Sequence, residues 1–306
     1  MRQTFVETLS ELAERDPRVL LLTADLGYMV VERFADRFPE RFFNTGVAEQ
    51  NAVGMAAGLA EAGFLPFVYS MATFASLRAG EFIRNGPVLH NLPVRIVGVG
   101  GGFEYGPGGV THWGLEDVGV LRSQPGLNII APADRRQARS ALLATWDLPG
   151  PVYYRLSKDE RDEVPGLEGR FRLGRVETVF PGRDLAFIAM GNIAGEVVRA
   201  ASILGAEGVS CGVLVVASVS PAPVEDLAAA LSAVSLAVCV EEHYPNGGLG
   251  SLVSEAAAGE GIPCRVIRRG ALEISRDAGG GRDYLRRLHG LDAESLVRDA
   301  RSWLKG

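Results

Sequence analysis

The chain has 306 residues, of which 47% are hydrophobic and 22% charged, and a formal net charge of −6. Such a length is a soft prior for two domains with ample core, and the acidic balance argues against a nucleic-acid partner, whose phosphates call for a basic surface. No window approaches the roughly 18 consecutive apolar residues of a membrane span.

From Met1 to Arg18 charged residues alternate with apolar ones at helical spacing, without the apolar run of a signal or transit peptide. A helix is expected over 4–15, then the short apolar run Val19–Thr23, which ends at Ala24-Asp25-Leu26-Gly27. A second helical stretch, 47–62, opens on Gly46-Val47-Ala48-Glu49-Gln50-Asn51 and continues in residues that are almost all small or apolar, Ala52 to Ala60. Glycine and alanine give that helix no bulk, so another backbone can approach it closely. A carboxylate in a first helical turn usually complements the dipole or acts in a capping box. Glu49 differs in having no further charge for about three turns of helix, which makes it a candidate acid as well as a candidate cap.

Further apolar runs follow at Phe67–Ser70, Val94–Val99, Asn128–Ile130 and Val152–Arg155, with helical patterns near 74–85 and 134–146 between them. Apolar strands separated by helices predict an α/β fold whose mostly parallel sheet is flanked by helices on both faces. The segment Gly98–His112 holds too many glycines for regular structure and starts at the carboxyl end of a strand, where ligands bind in open α/β sheets. A charge run over 158–163, then Pro165-Gly166 and Pro181-Gly182, read as a linker. Beyond it the alternation restarts with apolar runs Leu185–Met190, Gly212–Ala217, Leu236–Val240 and Cys264–Ile267, separated by helices near 193–205, 224–233 and 249–258. Cys211, Cys239 and Cys264 are widely spaced within or beside these runs, with neither metal spacing nor a disulfide framework. They read as reduced thiols of a cytoplasmic protein.

The stretch Phe43-Asn44-Thr45-Gly46-Val47-Ala48-Glu49-Gln50-Asn51 resembles the signature of the pyrimidine-binding domain of transketolases and related thiamine-diphosphate enzymes. The resemblance implies a pyrimidine-binding domain over 1–163, a linker over 164–183 and a transketolase C-terminal-like domain over 184–306. The matching glutamate of that family hydrogen-bonds N1′ of the cofactor's aminopyrimidine and thereby activates the thiazolium carbon. Glu49 would then be catalytic, and Asp25, Tyr69 and Phe74 would line the cofactor. His112, in Thr111-His112-Trp113, matches the family's Thr-His motif and would handle a sugar oxygen. Arg155 and Arg2 are the cations left to hold an anionic substrate. The family's Asp-Gly before Thr-His is replaced by Gly108-Gly109, a second histidine is missing near Gly100, and Met29 stands near an expected serine. These departures imply an altered donor or acceptor.

Neither Asp-Gly nor Asn-Asn, the marks of the family's Mg²⁺-diphosphate motif, occurs anywhere in the chain. The resemblance therefore implies that thiamine diphosphate and Mg²⁺ are held with the help of a separate N-terminal, diphosphate-binding subunit, in an α₂β₂ heterotetramer acting on sugars or sugar phosphates. Deoxyxylulose-phosphate synthases and 2-oxoacid dehydrogenase β-subunits share the fold, and a non-catalytic scaffold is the alternative of a different class.

Overall fold

The computed structural model describes residues 1–161, 163–272 and 279–304, so Asp162 of the charge run lies outside the described residues. In chain order the first half consists of α1 (Arg2–Arg15), β1 (Val19–Thr23), α2 (Glu32–Arg37), β2 (Phe42–Asn44), α3 (Glu49–Glu61), β3 (Leu65–Met71), α4 (Gly80–Ile83), β4 (Arg95–Val99), α5 (Asp117–Leu121), β5 (Asn128–Ile130), α6 (Arg135–Thr145) and β6 (Val152–Leu156). The second half adds β7 (Glu177–Phe180), β8 (Leu185–Met190), α7 (Ala194–Ala206), β9 (Cys211–Val215), β10 (Ser218–Ser220), α8 (Val224–Ser232), β11 (Leu236–Glu241), α9 (Leu249–Gly259), β12 (Arg265–Arg269), α10 (Arg282–Leu288) and α11 (Ala293–Trp303).

These strands form a seven-stranded sheet, β10-β5-β6-β4-β3-β1-β2, and a five-stranded sheet, β12-β11-β8-β9-β7. Each is parallel except at one edge, where β10 and β7 run antiparallel to their neighbours. Strands β1, β4 and β6 are buried at every residue, as a parallel sheet covered on both faces requires. Alternation along each strand sorts the side chains. Leu21, Phe67 and Val97 join Phe5 and Leu9 of α1 and Leu142 of α6, whereas Leu22, Val68 and Ile96 join Ala52, Val53 and Ala56 of α3.

Two elements cross the divide expected from sequence. β7 lies inside the stretch read as linker and pairs with β9, and β10 leaves its own half to pair with β5. Each covers backbone that would otherwise be an open edge. With three or four residues apiece they carry too little alternation to register in the sequence. The helical stretch near 74–85 is also irregular: a π turn at Phe74–Arg78, the short α4, and a second π turn at Arg84–Val88 around Pro87. Single π turns insert a residue into a helix and re-aim the side chains around it.

Candidate active site

Glu49 opens α3 with only 1% of its surface exposed, yet no side chain caps that helix. Its carboxylate turns toward the sheet instead. Oε1 accepts from Ser70 Oγ at 2.8 Å and Oε2 accepts from Arg78 Nη1 at 2.6 Å. Ser70 alternates with Tyr69 along β3 and so faces α3. The small buried residues Ala52 and Ala56 let the helix settle on that face. Of the two readings of Glu49, cap or placed acid, the geometry discards the cap.

The Arg78 guanidinium carbon lies 4.6 Å from the centroid of the Phe74 ring, and the edge of that ring meets the His112 ring at 5.5 Å and 71°. His112 ends the glycine-rich loop, with Nδ1 at 3.0 Å from Thr111 Oγ1. Glu49, Phe74, Arg78 and His112 thus form one cluster at the carboxyl end of the sheet. Asp25 follows β1 by two residues on the same rim, exposed and at φ +56°, a strained conformation for a residue with a Cβ. Asn44 holds it there, donating to Asp25 Oδ1 at 2.9 Å and accepting from the amides of Asp25 and Gly46. Asn44 therefore links Asp25 to the loop that leads into Glu49.

Three expected site residues are placed elsewhere. The Tyr69 ring stacks on Phe5 at 5.8 Å and 22°, on the α1 face of the sheet opposite Ser70, and burial pushes its hydroxyl pKa up. Arg2 opens α1 on that same face, and its Nε reaches the Lys158 carbonyl at 3.4 Å. Alternation along β3 explains both displacements, because one residue's step puts Tyr69 through the sheet from Glu49. Arg155 corrects the third expectation. It is 5% exposed, its Nε donates to both oxygens of Asp117 at 3.1 and 2.9 Å, and its Nη2 donates to the carbonyls of Gly114 and Glu242. Through these bonds Arg155 braces the two halves of the chain.

The loop carrying His112 is clamped by the second half of the chain. Phe103 packs between Trp113 at 5.5 Å and His289 at 5.0 Å. Glu104 Oε1 accepts from Ser157 Oγ at 2.8 Å, from Arg282 Nη1 at 2.9 Å and from Asn192 Nδ2. Glu242 is paired with Arg286 and accepts from the Phe103 amide. Gly102, at φ +76°, is needed here, because a Cβ would stand 2.3 Å from Glu242 Oε2. Sequence reasoning missed Arg78, Glu104, Glu242 and Arg286 as members of this arrangement. Only Arg78 carried a usable signal, lying four residues beyond Phe74 on a predicted helix.

A cleft of about 760 Å³ lined by Pro165, Glu196 and Arg287 opens on the other half of the molecule, away from Glu49. The Glu49 cluster instead borders an open surface, where Val47, Met55, Leu77 and Phe82 are all more than a third exposed. Among the described residues no three His, Cys, Asp or Glu side chains converge as a metal site. A planar, N–H-bearing group does fit between Phe74 and Glu49, since the Arg78 guanidinium makes both contacts at once.

The family model for the transketolase pyrimidine-binding domain matches residues 1–162, and that for the transketolase C-terminal domain matches residues 174–296. The chain is 35% identical over 309 residues to an apulose-4-phosphate transketolase subunit from Phocaeicola vulgatus, covering 99% of this chain and 97% of that one. It is 34% identical over 301 residues to the 6-deoxy-6-sulfo-D-fructose transketolase subunit of a Clostridium species, covering 98% and 93%. Among solved structures, a split-gene transketolase described as an inactive β4 tetramer superposes with a TM-score of 0.90 at 34% identity, covering 99% of this chain and 98% of its own.

Proposed function

The chain belongs to the transketolase family, and on that premise we propose that it is the C-terminal subunit of a two-chain transketolase, transferring a two-carbon ketol unit between sugars or sugar-like substrates. The observation that carries this reading is the buried Glu49 carboxylate, which leaves its own helix uncapped and turns to the rim shared with Phe74 and His112.

The partner is a separate diphosphate-binding subunit, in an α₂β₂ assembly that closes the active site between chains. The outward stripe of α3, Asn51, Gly54, Met55 and Gly58, is exposed and mostly small, which suits close backbone packing. Beside it the exposed Val47, Leu77 and Phe82 offer the apolar surface such an interface buries. Mg²⁺ needs several oxygen ligands in near-octahedral order, and these fall to the partner.

Thiamine diphosphate, when bound, supplies the carbanion chemistry. This chain's residues orient it and handle protons. Glu49, pinned by Ser70 Oγ, would present its second oxygen to the aminopyrimidine, and the Phe74 face would stack on that ring. His112, at the end of the clamped loop, would donate to or accept from a sugar oxygen. Asp25, held by Asn44, would border the same ring. Tyr69 supports the site from behind the sheet, stacked on Phe5. Substrate anions would meet cations other than Arg155.

Calorimetric titration of thiamine diphosphate with Mg²⁺ tests the reading, comparing this chain alone with the chain coexpressed with a diphosphate-domain partner. Tight binding in the mixture only is the expected result. Absence of binding in both would leave the scaffold reading in its place.

A further inference from the structure

Arg78 makes two contacts that belong to different chemistries. Its guanidinium lies over the Phe74 ring at 4.6 Å, and its Nη1 donates to Glu49 Oε2 at 2.6 Å. A planar, nitrogen-bearing, aromatic-stacking group is also what the site is proposed to receive. Guanidinium combines a flat π face with several N–H donors in its own plane. We infer that Arg78 is an internal stand-in for the aminopyrimidine: in the free subunit it fills the space between Phe74 and Glu49, and it must swing out before the cofactor enters. This rests on the proposed thiamine-dependent reading of the site.

The surroundings favour a side chain that can leave. Arg78 is 37% exposed whereas Glu49 is 1% exposed, so the cation stands at the solvent end of the pair. Its backbone closes the π turn Phe74–Arg78, and the next helical piece, α4, is only four residues long. No second carboxylate is bonded to it among the described residues, so a single ion pair and one stack hold it in place. Removing the one charged partner that Glu49 has among the described residues would leave a buried carboxylate unpaired, so the free subunit has a reason to keep the arm closed until another donor arrives. A stand-in of this kind lowers apparent affinity by the fraction of molecules in which it is closed. In return it keeps the half-site ordered before the partner docks.

The test is titration of thiamine diphosphate with Mg²⁺ into the assembled pair of subunits, carried out on the wild type, Arg78→Ala, Arg78→Lys and Glu49→Gln. Arg78→Ala should bind about tenfold more tightly than the wild type, because the internal competitor is gone. Arg78→Lys, which keeps the charge but not the planar stack, should fall between them. Unchanged or weaker binding by Arg78→Ala, while the wild type binds and Glu49→Gln is impaired, would overturn the stand-in and leave the site intact. Binding indifferent to Glu49, or absent throughout, would overturn the site and the stand-in together. Should Arg78→Ala alter folding, the lysine variant still decides: no gain in its affinity over the wild type overturns the inference.

Discussion

Both sheets end in buried carboxylates, and the two sets are held in opposite ways. At the end of the first sheet, Glu49 is bonded to a hydroxyl and to a half-exposed guanidinium, beside an open surface. At the end of the second, Glu241, Glu242 and His243 are 0%, 1% and 0% exposed, and their partners are mostly fixed backbone. Glu241 accepts from the Leu249 and Gly250 amides at 2.7 and 2.8 Å. His243 donates from Nδ1 to the Tyr244 carbonyl at 2.6 Å and accepts at Nε2 from the Gly119 amide at 3.1 Å, which fixes its neutral tautomer. Burial pushes the Glu241 pKa up to about 7, the kind of shift often taken as a mark of catalysis. The comparison teaches that burial does not make a carboxylate reactive. What separates the two edges is whether the partner can be exchanged for a ligand.

If that distinction holds, the largest effect comes from the open edge. Glu49→Ala should reduce turnover of the assembled enzyme by about 10²–10⁴, with little change in the subunit's melting temperature. Steady-state kinetics beside a thermal melt reads both, and retained turnover would erase the contrast between the edges. Next comes the brace between the halves. Arg155→Met strands Asp117, fully enclosed and also bonded to Tyr153, and breaking a buried pair costs about 3–5 kcal/mol. Urea unfolding should show that loss. A higher KM for an anionic substrate at unchanged stability would restore Arg155 as an anion clamp. A smaller effect is expected from Phe74→Leu, which removes a stack worth about 0.5–1.5 kcal/mol and should weaken cofactor binding several-fold in calorimetry.

Much of this contrast was legible in the residues, and unevenly so. The parallel sheets announced themselves because strands such as Val19–Thr23 and Leu185–Met190 are buried on both faces and read as unbroken apolar runs. Strands β7 and β10 did not, since each is only three or four residues long and β10 pairs with an edge in the other half of the chain. Glu49, Phe74 and His112 could be named from a motif and are brought together. Tyr69 could not be separated from Ser70 without knowing which parity of β3 faces α3. Arg155 looked like a free cation because its partner Asp117 lies 38 residues away. Arg78 passed unnoticed since an arginine on a helix is ordinarily solvent-facing, although its spacing from Phe74 allowed the contact that the structure shows.

The closed edge offers the smallest effect and a clear sign. Burial lowers the pKa of His243 from 6.5, so below that value the unfolded chain takes up a proton that the folded chain refuses. Stability from this group is present at neutral pH and is lost on acidification. Glu241 is raised from 4.5 to about 7, so between those values the folded chain binds more protons. Its contribution is present at low pH and is lost as pH rises toward 7. The two side chains stand 3.8 Å apart, and Asp117 and Arg155 also act on the imidazole, so their terms partly cancel between about pH 4.5 and 6.5. His243→Asn removes one term and leaves the other. Urea unfolding at pH 5 and pH 7 should then show that acidification costs the variant less stability than it costs the wild type. Equal losses would mean that the imidazole takes up its proton without releasing the Gly119 amide, and the second edge would be no more closed than the first.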